Sequence, residues 1–265
     1  MRRPKVCVLR SAGTNCDKET AFAFDAVSAD AELVHIKALI EGGKSLGEFQ
    51  ILALPGGFTY GDDIAAGKIF ANELKYKLGD ELREFLQQGK LIIGICNGFQ
   101  ILAKAGLLPG NEDFAQEASL IINDSGKFED RWVYLRSQKA KGKSQKCIWA
   151  TNSPGVIYLP VAHGEGKFVA RDKTVLERLK KNNQIVFQYC DNKGKLGDYP
   201  DNPNGSTEGI AGICDETGRI LGLMPHPERH IAVSQHPRWE KKQGGGEGDG
   251  LQIFRNGVEY AKKNL

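Results

Sequence analysis

The chain has 265 residues, 40% hydrophobic and 26% charged, with a formal net charge of +3 at pH 7. That length carries one large α/β domain or two small ones. The composition excludes a disordered, collagen-like or coiled-coil chain, and the mild charge argues against nucleic-acid binding.

In chain order, Lys5–Arg10 predicts a strand and Asp17–Ser28 a helix. Glu32–Ile36 and Phe49–Leu54 follow as strands, the second running into Pro55-Gly56-Gly57. Asp80–Gln88 places Leu82, Phe85 and Leu86 on one helical face. Leu91–Ile95 is a strongly apolar strand with the helix Gly98–Ala105 behind it. Strands and helices alternating in this way predict a mostly parallel sheet covered on both faces. The second half is richer in strands. Ser119–Ile122 and Phe128–Leu135 read as an antiparallel pair, followed by strands at Cys147–Ala150, Val156–Val161, Ile185–Cys190, Ile210–Cys214 and Ile220–Met224. Asp215–Gly218 fits a hairpin turn between the last two. Gly244–Gly250 reads as a flexible loop before an amphipathic helix over Leu251–Lys263, with Ile253, Phe254, Val258 and Tyr260 facing inward. No repeat or linker divides the chain, so residues 1–265 are expected to form a single domain.

The apolar residues Val6–Leu9 after Met1-Arg-Arg-Pro-Lys are too few for a signal-peptide core. No apolar run approaches the roughly 18 residues of a membrane helix. The expected location is the cytoplasm, with no membrane contact. Lys139, Lys141, Lys143 and Lys146 form the one basic cluster, a solvated loop or else a partner- or anion-facing surface. The cysteines at 7, 16, 96, 147, 190 and 214 lack CxxC or CxxxC spacing, which predicts free thiols and no metal site. Five read as small buried apolar residues.

Cys96 differs. In Gly94-Ile-Cys96-Asn-Gly98-Phe-Gln100 it sits where a buried strand turns sharply into a helix. A tight elbow strains the backbone at its tip and needs neighbours without side chains, the logic of the nucleophile elbow of α/β-hydrolases. The helix N-terminus favours the thiolate, and nearby backbone N–H groups can hold an oxyanion. The Asn97 N–H is one such donor, and Pro55-Gly56-Gly57 offers a second. The same elbow also suits a structural core thiol. The base is expected at His226, held between Pro225 and Pro227 after an apolar strand. Glu228, two residues on, points to the same side and would orient the imidazole. His230 is the alternative base, His236 a loop residue and His35 a core or rim residue. His163, after another apolar strand, is placed at the same cleft, and Gln100 lies one turn beyond Cys96.

Taken together, these segments resemble the class I (triad) glutamine amidotransferases, over nearly the whole chain. The nearest resemblance is to the glutaminase subunits of phosphoribosylformylglycinamidine synthases. It is carried by Leu54-Pro-Gly-Gly-Phe58 with Tyr60-Gly-Asp62, the Cys96 elbow, Pro160-Val-Ala-His-Gly-Glu-Gly166, Asn202-Pro-Asn-Gly-Ser206 and Gly222-Leu-Met-Pro-His-Pro-Glu-Arg229. The elbow alone marks the broad class, and the other segments are more specific. The resemblance implies a flavodoxin-like three-layer α/β/α fold with a mixed central sheet. It implies a Cys96–His226–Glu228 triad that hydrolyses L-glutamine through a thioester, an oxyanion hole of Gly57 and Asn97, and substrate contacts from Gln100, His163, Gly164 and Glu165. It also implies a synthetase partner subunit that uses ATP and Mg²⁺, and a small bridging subunit. This chain has no P-loop, so no cofactor is expected in it. Two segments, Val233–Gly250 and Lys139–Lys146, look longer than the family pattern. A cysteine hydrolase acting alone and an inactive binding module are the competing readings. The intact triad argues against the second.

Overall fold

The computed structural model describes residues 3–62, 65–111, 113–138, 146–241 and 245–265. β1 (Lys5–Arg10) pairs in parallel with β2 (Asp30–His35) on one side and β3 (Ile51–Leu54) on the other. β4 (Leu91–Ile95) joins β3 in parallel. This 2-1-3-4 order is that of a flavodoxin-like sheet, whose sites lie beyond the carboxyl ends of the strands. The sheet then continues through a strand from the far end of the chain. β11 (Ile220–Leu223) pairs in parallel with β4 and antiparallel with β10 (Ile210–Cys214). Beyond β10, β9 (Ile185–Cys190), β6 (Glu129–Ser137) and β7 (Val156–His163) complete nine strands, all antiparallel to their neighbours. Two further strands among the described residues, β5 (Ala118–Ile121) and β8 (Lys167–Ala170), form a separate antiparallel pair.

The crossovers β1→β2 and β3→β4 step across the sheet in opposite directions. Right-handed connections therefore put their helices on opposite faces. α1 (Asp17–Ala26) covers one face together with the closing helix (Leu251–Asn264), where Phe24 and Phe254 meet edge to face at 5.0 Å. α2 (Ile36–Ile40) is a short helix capped by His35, which is exposed. α3 (Lys68–Lys77), α4 (Gly79–Gln87) and α5 (Asn97–Lys104) serve the other face, with α5 against β3, β4 and β11. Every residue of β4 and β11 is buried. Burial of each large aliphatic side chain stabilises by about 1.5–3 kcal/mol. The strand that presents Cys96 is thus anchored in a fully buried part of the sheet. No helix among the described residues is long and apolar enough to cross a membrane.

Several predicted elements differ from the structure. The expected pairing of Ser119–Ile122 with Phe128–Leu135 does not occur: β5 pairs with β8, and β6 lies between β9 and β7. Asn123 N–H donates to Gly164 O at 2.9 Å, which turns the chain after β5 toward the loop before β8. Cys147–Ala150 is not a strand but one helical turn. Its apolar content is satisfied by Trp149, buried beside Phe24 and bonded through Nε1 to Arg219 O at 2.9 Å. Residues 245–250 of the expected flexible loop are tied down: Gly248 N–H and Gly250 N–H donate to Ile231 O and His230 O at 2.9 and 2.8 Å. The glycines there permit close approach rather than slack. α3, β8 and α6 (Lys173–Lys181, N-capped by Asp172) were not predicted at all. Lys139, Lys141 and Lys143 lie outside the described residues.

Candidate active site

Cys96 stands at the carboxyl end of β4 with φ 51° and ψ −107°, a strained conformation for a residue with a side chain. Backbone bonds hold it there, with Cys96 N–H on Leu223 O at 2.8 Å and Cys96 O accepting from Phe99 and Gln100. The flanking glycines are required by contact. A Cβ on Gly98 would lie 1.9 Å from Leu54 O, and one on Gly94 would lie 2.6 Å from Gly98 O. The sulfur is nearly buried, 3.7 Å from Ala162 O at the end of β7.

His226 lies just past β11, next to β4 in the sheet. Its Nδ1 bonds Glu228 Oε1 at 2.6 Å, with both side chains buried. Burial alone would lower the imidazole's basicity. The Glu228 carboxylate and smaller contributions from Cys96 and Cys16 together outweigh that and hold the pKa well above its ordinary value. With Nδ1 given to Glu228, the nitrogen left for proton transfer is Nε2, which is buried without a hydrogen-bond partner. Gly56 packs against the same group: a Cβ there would sit 2.7 Å from His226 Cε1 and 3.4 Å from Cys96 Cβ. His230, the alternative base, instead bonds Tyr158 O through Nδ1 and meets Trp132 edge-on and His236 at a tilt.

The two expected oxyanion donors come from separate strand ends. Asn97 opens α5, where amides point out of the helix end. Its side chain accepts from Thr59 N–H and the Thr59 hydroxyl and donates to Gln100. Gly57 follows β3 with φ 143°, and a Cβ there would lie 2.7 Å from Asn15 N. Cys16 N–H donates to Gly56 O at 3.2 Å, which fixes the orientation of the Gly56–Gly57 peptide.

The segment His163–Glu165 forms the opposite wall. Gln100 reaches it through Nε2, which donates to Glu165 O at 2.5 Å, so this amide serves as a strut between α5 and the wall. Asn123 fixes the rest. Its Nδ2 donates to His163 O and Lys127 O, and its Oδ1 accepts from Gly166 N–H. Oδ1 also meets His163 Nδ1 at 3.1 Å, so Nδ1 carries the proton and the buried Nε2 is a bare acceptor. Burial, and next the charge of His226, lower the His163 pKa to about 4. Asn204 and Ser206 of the Asn202–Ser206 segment brace Gly166 and Phe168 from behind.

The profile of the CobB/CobQ-like glutamine amidotransferase domain matches residues 3–261. A Dehalococcoides mccartyi protein, phosphoribosylformylglycinamidine synthase subunit PurQ, is 48% identical over 99% of this chain and 100% of its own. The PurQ subunit of Archaeoglobus fulgidus is 46% identical over 98% of this chain and 97% of its own. The chain belongs to the PurQ family of glutamine amidotransferases. Among solved structures, that of PurLQS from Thermotoga maritima superposes with a TM-score of 0.72 at 31% identity, covering 98% of this chain and 99% of that one.

In this PurQ-family chain the structure adds residues that the sequence reading passed over. Asn123 holds the His163–Gly166 segment, and Thr59 holds the Asn97 side chain beside the elbow. Cys16, expected to be a small buried apolar residue, is buried but lies 4.0 Å from His226 Nδ1 and 3.1 Å from Arg229 Nη2. The donor atoms of Cys16, His226 and Glu228 fall within 4.8 Å of one another, close enough for a cation. The Arg229 guanidinium already brings positive charge to that sulfur, and Glu228 already occupies Nδ1. The only sequence signal for Cys16 was its place at the start of α1.

Proposed function

We propose that Cys96, His226 and Glu228 hydrolyse glutamine to glutamate and ammonia, and that the ammonia feeds the synthetase subunit of phosphoribosylformylglycinamidine synthase. Cys96 Sγ attacks the side-chain amide carbon as its proton passes to His226 Nε2. Glu228 stabilises the imidazolium. The Gly57 and Asn97 N–H groups receive the oxyanion. Collapse of the tetrahedral intermediate breaks the C–N bond, and His226 returns the proton to the departing ammonia. Water then attacks the γ-glutamyl thioester, assisted by His226, and releases glutamate and the thiol. His163, Gly164 and Glu165, with Gln100 behind them, hold the substrate in place.

The observation that carries this reading is the His226–Glu228 bond with Nε2 left open beside a nucleophile in a left-handed elbow. The whole chain works as one domain in the cytoplasm. ATP and Mg²⁺ act in the synthetase, and a small subunit bridges the two. The PurLQS relative supports such an assembly. The test is glutamate release from glutamine, with and without the synthetase subunit. Strong activity in the complex and weak activity alone are expected. No release under either condition defeats the proposal. In the complex, Cys96→Ala is expected to abolish glutamine-dependent synthesis while free ammonia still supports it. Loss of the ammonia-dependent reaction as well would make Cys96 a structural residue.

A further inference from the structure

The His226 imidazole has a neighbour on each side that is a cysteine, and the mechanism uses only one of them. A Cβ on Gly56, which faces His226 Cε1, would lie 3.1 Å from Cys16 Sγ as well as 3.4 Å from Cys96 Cβ. Cys16 is 1% exposed and immediately precedes α1, more than two hundred residues away in sequence. Its sulfur has a full set of directed contacts. The thiol donates to Asn15 Oδ1 at 3.1 Å, and the sulfur accepts from Arg229 Nη2 at 3.1 Å and meets His226 Nδ1 at 4.0 Å. Arg229 is held in turn by Glu19 Oε1 at 2.8 Å, one turn along α1.

We propose that Cys16 is a positioning residue for His226: with Glu228 it holds the Nδ1 edge of the ring, and it keeps the Arg229 guanidinium anchored off that edge. The inference rests on the triad reading above. Glu228 alone fixes one direction on Nδ1 and leaves the ring free to rock about that bond. A polarisable sulfur on the same edge restricts the rocking and favours the imidazolium formed during attack. The titratable groups that act on His226 are Glu228 from its own loop, Cys96 at the end of β4, Cys16 just before α1 and His163 at the end of β7, with Arg229 and Glu19 one contact further out beyond Cys16. Cys16 does not compete as a nucleophile. Burial pushes its thiol pKa up, with contacts to His226 offsetting part of that, and Glu228 occupies the nitrogen it faces.

The test compares Cys16→Ala, Cys16→Val and Cys16→Ser in the full chain with its synthetase subunit. Glutamate release is measured across pH, and iodoacetamide alkylation of Cys96 across pH is read by peptide mass spectrometry. Expected for Ala and Val are a kcat lower by about tenfold, the equivalent of one pKa unit on the base, a KM for glutamine within about twofold, and an alkylation midpoint moved to higher pH. Ser is expected to restore most of kcat and the midpoint. Val fills the site and gives the same reading if Ala does not fold. Wild-type kcat and midpoint in Ala or Val overturn the proposal. Equal losses in all three with an unmoved midpoint mean packing alone and also overturn it. Absence of wild-type glutamine turnover in the same assay defeats the triad reading instead.

Discussion

Replacing Glu228 with Gln keeps the shape of the triad and removes its anion. At 2.6 Å, and with an effective dielectric near 20, the attraction between carboxylate and imidazolium is about 6 kcal/mol. Both groups are buried, so part of that offsets the desolvation of the charged pair. Breaking buried pairs of this kind costs about 3–5 kcal/mol. The loss falls on the step in which His226 becomes charged. It therefore predicts a fall in kcat/KM on the order of 10²- to 10⁴-fold. The assay is glutamate release in the complex across pH, with a cooperative thermal melt as the folding control. The melt itself carries a sign. Glu228 raises the His226 pKa, so protonated His226 contributes stability that is fully present below its unfolded value and lost as pH rises through the folded value. The Tm difference between wild type and Glu228→Gln is expected to be largest in mildly acidic buffer and to shrink as pH rises. A variant that keeps more than about a third of wild-type kcat/KM would refute the role given to Glu228, because a loss under threefold is less than 1 kcal/mol.

Gly98→Ala places a Cβ 1.9 Å from Leu54 O, so the elbow and β3 must part by about 1.5 Å to reach ordinary contact. A stability loss of about 1–3 kcal/mol by denaturant titration and a larger proportional loss of kcat are expected; wild-type stability would contradict the packing described. Asn123→Ala leaves His163 O, Lys127 O and Gly166 N–H without their bonds. It is expected to cost about 3 kcal/mol and to raise KM for glutamine more than it lowers kcat, an outcome checked by steady-state kinetics beside a melt.

The parts of the site legible in the sequence are those built from neighbours in the chain. The Cys96 elbow lies within Gly94–Gly98, and His226 and Glu228 are two residues apart; both are set by local backbone geometry. The strands of the parallel half, though not their order, follow from alternating apolar strands and helices. The antiparallel half was harder. Its pairing depends on where Asn123 and His163 meet, forty residues apart, and no periodicity encodes that. The Cys147–Ala150 misreading has a similar cause. A four-residue apolar run looks the same whether it enters a sheet or fills a helix-lined pocket, and Trp149 does the second. α3 has Gly67 at its N-cap, which can make no side-chain cap hydrogen bond, so that start signal is missing there. No local rule links Cys16 to His226, 210 residues away.

The two halves of the site are held in place by different physics, and they should fail in different ways. Cys96 and the Gly56–Gly57 peptide are fixed by backbone. Leu223 O, Cys16 N–H and the approach of Gly98 to Leu54 set their positions, and each depends on the absence of a side chain somewhere nearby. Adding atoms at Gly94 or Gly98 displaces Cys96, and adding them at Gly57 displaces the Gly56–Gly57 peptide, whatever the chemical nature of the addition. His226 is fixed by side chains instead: Glu228 on one bond and Cys16, braced by Arg229 and Glu19, on the other contact. Changes there leave the backbone in place and act through charge and pH. A substitution that lowers activity without moving its pH dependence therefore belongs to the elbow half. One that moves the pH dependence belongs to the imidazole half, and α1, distant in sequence, is part of that half.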